Sequence, residues 1–352
     1  MSHLTAKPRR NSRILSVGAY RPANAVHNSQ IVDKIDSSDE WIQQRTGIES
    51  RNFAAADQSL VDMAEHAARI AIERSGLEPS EIDAVIFSTI TYPYQAPSAA
   101  TELLTRLGNT RAAAFDISAA CAGFCYGVSL ANDMVSAGTA TNVLVIGGEK
   151  LSDFTDPFDR ATAFIFADGA GAVIIGPSTD VGIGPTIWGA NAETRDAIMM
   201  EPSWLEYKKA NKGEDLKWPD ISQQGQTVFR WAVYEMGPVG LKAIEAAGLT
   251  PDQLDAFVPH QANDRIIDAM VKGMKLPESV HVARDIRYSG NTSAASIPLA
   301  MDAMLENHPE LHGKSALLLG FGAGLVFAGQ VVELPPAPTS PTAPTAPTAP
   351  TA

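Results

Sequence analysis

Three residues carry most of the chemistry this sequence offers: Cys121 in AACAGF, His260 in VPHQAN and Asn291 in SGNTSAAS. A thiol among small residues at the start of a helix meets free backbone N–H groups and the positive end of the helix dipole. Both favour the thiolate, below an ordinary pKa of about 8.5. Such a sulfur is a nucleophile with room for a substrate beside it. His260 follows the apolar run AFVP, a place where an α/β fold commonly presents ligand-binding groups. Asn291 lies between Gly290 and a run of Ser and Thr, which suits a helix start. Each residue also has a plainer reading: a buried structural cysteine, a satisfied loop histidine, a helix N-cap. Cys125, one turn beyond Cys121, is expected to pack inside the helix.

The elements that must position these residues are written twice. Residues 71–84 read AIERSGLEPSEIDA and residues 243–256 read AIEAAGLTPDQLDA, an offset of 172. In each copy a helix stops at Gly, Pro opens a short second turn, and Asp-Ala leads into an apolar strand. Cys121 comes 38 residues after Asp83, and Ser293 comes 38 residues after Asp255. Each then leads into a helical pattern and a second apolar strand, NVLVIGG or SALLLGFG. A shared order of elements at one offset is an internal duplication. The expectation is two similar αβ halves about a pseudo-twofold axis. Cys121 and Asn291 then lie near equivalent helix N-termini, with His260 facing the same pocket.

Composition narrows the function. The 352 residues are 45% hydrophobic and 19% charged, enough to bury one large core or two domain-sized ones. A net charge of −13 argues against nucleic acid as the main partner. An acidic protein partner would need a local basic patch. Two cysteines make no disulfide framework, which fits a reducing compartment. The basic stretch Met1 to Asn11 precedes no apolar run, so no signal peptide is expected. Ser315 to Val332 is uncharged, but Gly320, Gly322, Gly324 and Gly329 interrupt it. It reads as a buried strand, a turn and a second strand rather than a membrane span. The Pro-Thr-Ala repeat of Pro335 to Ala352 cannot pack a core and is expected to be a mobile tail. The expected divisions are a disordered 1–12, halves at 13–177 and 178–334, and a disordered 335–352. DGAGA at 168–172 lacks the full GxGxxG pattern, and no cluster has metal-ligand spacing.

Taken together, AACAGF, PHQAN and GNTSAAS, with the segment DEWIQQRTGIESR, resemble beta-ketoacyl-ACP synthase III over about Arg13 to Leu334. The resemblance implies a thiolase-like α/β fold, two duplicated αβ halves in a layered αβαβα sandwich. It implies a cytoplasmic homodimeric acyltransferase with no cofactor or metal, using acyl-CoA and acyl carrier protein (ACP), without nucleic acid or membrane. Cys121, His260 and Asn291 become the catalytic set, and the backbone N–H groups of Cys121 and Ala323 an oxyanion hole. Trp41, Arg45 and Arg160 are expected at CoA. Gln261, Ala262, Asn263, Asp264 and Arg265 are expected at ACP, with Lys272, Lys275, Arg284 and Arg287 extending a basic patch. Asp264 departs from a more usual uncharged residue. Ala96 and Phe166 are expected at the acyl pocket, Ala96 across a dimer interface. Three other readings stay open: a same-fold condensing enzyme of secondary metabolism or of acyl–acyl condensation, a papain-like hydrolase, and a non-enzymatic acyl-binding protein.

Overall fold

The computed structural model describes residues 9–210 and 217–338. Two five-stranded mixed sheets share one plan. In the first, the strand order is Asn11–Tyr20, Asp168–Ser178, Val143–Lys150, Ala84–Ser88, Ala113–Ile117. In the second it is Ile187–Ala190, Val326–Glu333, Ser315–Gly322, Ala256–Pro259, His281–Val282. In both, the first two pairings are antiparallel and the last two parallel.

The helices Gly123–Ala137 and Ser296–Asn307 lie between the sheets, in a core that joins Phe124 and Met301 to Val145 and Leu318. The helices Leu60–Ser75 and Ala99–Arg106 cover the outer face of the first sheet. The helices Gly225–Ala246 and Asp264–Met274 cover that of the second. These five layers are the expected αβαβα sandwich. Local chemistry explains the elements. Strand Val143–Lys150 is buried throughout, because helices pack on both its faces, so its sequence is an unbroken run rather than an alternation. Helix Leu60–Ser75 starts in a capping box between Ser59 and Asp62 and stops at Gly76. The φ of 74° at Gly76 would cost a residue with a β-carbon about 1–2 kcal/mol.

The duplication contains a one-residue slip. Ala84 corresponds to Ala256, 172 residues on, but their strand partners Val143 and Ala316 are 173 apart. The turns Ala120–Ala122 and Ser293–Ala295 are also 173 apart, and Ala120 and Ser293 both have left-handed φ, 43° and 49°. Cys121 therefore corresponds to Ala294, not to Ser293 as a constant 38-residue count suggests.

The ends differ from expectation in small ways. The first strand starts at Asn11, and Arg10 N–H donates to Ser136 O, so residues 10–12 are part of the fold. Pro335 is buried, and its carbonyl accepts from His312 Nδ1, so the packed chain runs past Leu334. Of the expected disordered ends, residues 1–8 and 339–352 lie outside the described residues, and 9 and 336–338 are described and exposed. Ser315 to Val332 forms the expected strand, turn and antiparallel strand. Among the described residues, no helix is long and apolar enough to cross a membrane.

A β-carbon on Gly147 would sit 2.1 Å from Ala294 O, so the strand and the turn could not both keep their places. Gly147→Ala is expected to lose about 1–3 kcal/mol by urea denaturation. Gly225→Ala, with open space around it, should be neutral or stabilising by up to about 1 kcal/mol. Equal losses in the two variants would contradict this packing account.

Candidate active site

Strand Ala113–Ile117 runs into the turn Ala120–Ala122, which sets Cys121 at the head of the central helix Gly123–Ala137. Gly322, at the end of the facing strand, comes so close that a β-carbon there would lie 2.8 Å from Cys121 Cβ and 3.0 Å from Sγ. Only glycine fits, and the chain then turns through Ala323 beside the sulfur's cavity. Cys121 keeps some surface on that cavity, but its thiol is not depressed as the helix N-terminus suggested. Burial pushes it up to about 12; the Ser293 hydroxyl acts to lower it and the Glu149 carboxylate to raise it further. The resting group is a thiol, because removal from water outweighs the nearby N–H groups. Cys125 is wholly buried in the core, as expected.

His260 follows strand Ala256–Pro259, and its N–H donates to Leu319 O at 2.8 Å. The ring is buried edge-on to Phe321, 5.2 Å between centroids. Burial lowers its pKa to about 3, so it is neutral at any ordinary pH. His260 Nδ1 lies 2.7 Å from Ser296 Oγ, which also accepts from Gln261 N–H at 3.3 Å. With Ser296 Oγ–H assigned as the donor to Nδ1, the neutral ring carries its proton on Nε2, an N–H donor.

Asn291 is held between halves: its N–H donates to Ile165 O, and its C=O accepts from Ala167 N–H, both at 2.9 Å. Its Oδ1 accepts from Ser293 N–H at 2.9 Å, which turns the NH2 group away as a donor. Gly290 before it has φ 68°, and a β-carbon there would meet Arg51 Cβ at 2.8 Å.

A cavity of about 690 Å³ joins Cys121, His260 and Asn291 with Ser293, Phe166 and Ala323. Its mouth carries the other expected residues. Two cations approach the Trp41 ring, with the Arg45 and Arg160 guanidinium carbons 5.2 and 5.3 Å from its centroid. Asn263 caps helix Asp264–Met274 by accepting from Arg265 N–H, and its Nδ2 donates to Arg45 O at 3.0 Å. Arg265 is exposed and lies over Phe229, 5.0 Å from the centroid.

Other parts of the sequence reading need correction. Gln261 is buried and spent on Pro259 O, Ala283 O and Ile286 N–H, so it positions the segment rather than facing a partner. Asp264 is buried under Arg284 and Arg287, and Arg284 also pairs with Asp268. Those two arginines are neutralised and do not extend the basic patch, whereas Lys272 and Lys275 are exposed. Ala96 is exposed and outside the chain's own cavity, which leaves the expectation that it acts across a dimer interface untouched. Ser296 and Glu149 went unnoticed in the sequence, where Ser293 marked only the repeat and Gly322 only a break in an uncharged run. Glu149 left one trace there, a charge closing the apolar run NVLVIGGEK.

Models of the 3-oxoacyl-(acyl-carrier-protein) synthase III family match at residues 115–192 and, for its C-terminal part, at 244–334. The chain is 53% identical to a beta-ketoacyl-(acyl-carrier-protein) synthase III of Kocuria rhizophila, over 93% of this chain and 98% of that one. It is also 53% identical to beta-ketoacyl-(acyl-carrier-protein) synthase III 1 of Streptomyces coelicolor, over 92% and 96%. Among solved structures, the priming beta-ketosynthase of the R1128 polyketide pathway superposes with TM-score 0.92 and 44% identity, covering 96% of this chain and 100% of that one. With two family models matched and half the residues identical over nearly the full length of its relatives, this chain belongs to the beta-ketoacyl-ACP synthase III family of thiolase-like condensing enzymes.

Proposed function

We propose that this chain starts type II fatty-acid synthesis in the cytoplasm by joining an acyl-CoA primer to malonyl-ACP, with release of CoA and CO2. One observation carries the reading: a single cavity unites a thiol at a helix head with two uncharged N–H donors. In the first half-reaction Cys121 attacks the acyl-CoA thioester and CoA leaves. Backbone N–H groups of Cys121 and Ala323 receive the tetrahedral oxyanion. In the second, a malonyl thioester places its carbonyl oxygen between His260 Nε2 and Asn291 Nδ2. Loss of CO2 makes the carbanion, so no base has to take a proton from carbon. The donors instead stabilise charge growing on that oxygen, and a neutral imidazole does so without protonating the carbanion. The carbanion then attacks the acyl-Cys121 carbonyl to give 3-oxoacyl-ACP. No cofactor or metal is needed for these steps.

Trp41, Arg45 and Arg160 suit a nucleotide, an aromatic face flanked by cations for base and phosphate. Arg265, with Ala262 and Asn263 beside it, suits an acidic carrier at the cavity mouth. The primer would lie along Phe166, Ile90, Leu151, Ile198 and Ile221. In a homodimer, Ala96 would reach the partner's pocket, where its small side chain leaves room for branched or longer primers. The likeness to a polyketide priming enzyme favours a second reading, the same condensation in secondary metabolism. Products formed from malonyl-ACP against malonyl-CoA separate the two.

Intact-mass analysis after acyl-CoA exposure should show one acyl adduct on Cys121, absent in Cys121→Ala. His260→Ala and Asn291→Ala should still acylate but lose about 10²–10³-fold in condensation with malonyl-ACP. Acyl-CoA hydrolysis without condensation, or no adduct at all, would remove the proposal. Arg265→Ala should raise KM for malonyl-ACP steeply and leave acylation of Cys121 intact; equal loss in both half-reactions would count against docking there.

A further inference from the structure

Glu149 is a fully buried carboxylate beside the nucleophile that the condensation does not use. Four donors surround it: Thr91 Oγ1 at 2.6 Å, Thr89 Oγ1 at 3.0 Å, Ile90 N–H at 3.1 Å and Ser293 Oγ at 3.3 Å. Among the described residues no cation pairs with it. Lys150, next in the chain, turns its ammonium to Ala55 O at 3.3 Å and Asp153 at 3.6 Å. Ser293 stands at the other end, bordering the same cavity as Cys121 and acting to lower the thiol's pKa. The left-handed φ of Ser293 belongs to the turn that mirrors Ala120, but only this copy carries a hydroxyl.

We infer that Glu149 accepts the Cys121 thiol proton through the Ser293 hydroxyl when the acyl group is transferred. The inference rests on the reading of Cys121 as the acyl carrier. As the new Cys121 S–C bond forms, the thiol proton passes to Ser293 Oγ, and the Ser293 proton passes to Glu149. The thioester C–S bond to CoA breaks, and the same proton returns through Ser293 to the departing CoA thiolate. Acyl-CoA and thiol thus become acyl-Cys121 and CoA–SH, with no other reactant. The arrangement answers a need the site creates: the thiol rests protonated, and buried His260 at about 3 is a poor acceptor. Burial raises the Glu149 carboxyl to about 7, against four hydrogen bonds that lower it, so it can both take and return a proton near neutrality. The titratable group it faces through Ser293 is Cys121, each charge disfavouring the other.

The test is the pre-steady-state rate of acyl-enzyme formation from acetyl-CoA and isobutyryl-CoA, followed by intact mass across pH 5.5 to 9. The wild-type rate should fall as pH drops through about 7, because only the ionised carboxylate accepts a proton. Glu149→Gln and Ser293→Ala should each lose about 10-fold or more and show no such limb. Condensation from pre-loaded acyl-enzyme should stay near wild type in both, which a general loss of structure would not allow. Wild-type rates in the variants, an unchanged acid limb, or faster acylation in Glu149→Gln would overturn the inference. The last result would mean that the charge only opposes the thiolate. If Glu149→Gln does not fold, Ser293→Ala decides, since it leaves the contacts to Thr89, Thr91 and Ile90 in place. A wild-type protein that forms no acyl-enzyme with either thioester would fail the parent reading instead, and the inference with it.

Discussion

Backbone meets backbone where the two halves join, and this close approach governs the rest of the molecule. Gly320 and Gly322 press against the turn that bears Cys121, and Gly147 presses against the matching turn at Ala294. A side chain at any of these positions would push a turn away from the opposite sheet. The contact is reciprocal because the fold is duplicated, yet the chemistry is not. One turn carries a thiol where the other carries Ala294, and one carries the Ser293 hydroxyl where the other carries Ala120. A symmetric scaffold thus holds an asymmetric site. His260 comes from the second half and Asn291 is clamped by Ile165 and Ala167 of the first, so no single half contains a complete set.

Removal from water sets the protonation states inside this interface. It leaves Cys121 a thiol and His260 uncharged, and it lifts Glu149 toward neutrality. Dipoles fixed in such a place need no reorganisation when charge develops, which is where their advantage over water lies. The outside follows the opposite logic. The chain carries a net charge of −13, yet Arg45, Arg160, Arg230 and Arg265 border one cavity. A cationic mouth on an acidic protein concentrates anions at that opening. CoA and an acidic carrier share that character.

Much of the architecture was legible in the sequence because it depends on local patterns. Helix stops at Gly76 and Gly248, Pro at 79 and 251, and paired apolar strands marked the repeat before any coordinates. The three chemical residues each had a plainer local reading, and the resemblance carried by AACAGF, PHQAN and GNTSAAS together singled them out. Gln261, Asp264, Arg284 and Arg287 were harder. All looked available to a partner, but hydrogen bonds and ion pairs to distant segments consume them. Side-chain type and spacing carry no information about such long-range pairing.

The duplicated αβ plan could be read in one dimension from local pattern, and the thiol, imidazole and carboxamide candidates from the family resemblance of their motifs. Periodicity, helix stops and neighbour size are properties of adjacent residues, so they survive in one dimension. The tertiary structure alone decided the one-residue slip that pairs Cys121 with Ala294, the protonated state of the sulfur, and the placement of Glu149 behind Ser293. Each depends on which distant groups exclude water from one another, and that is settled only when the two halves close.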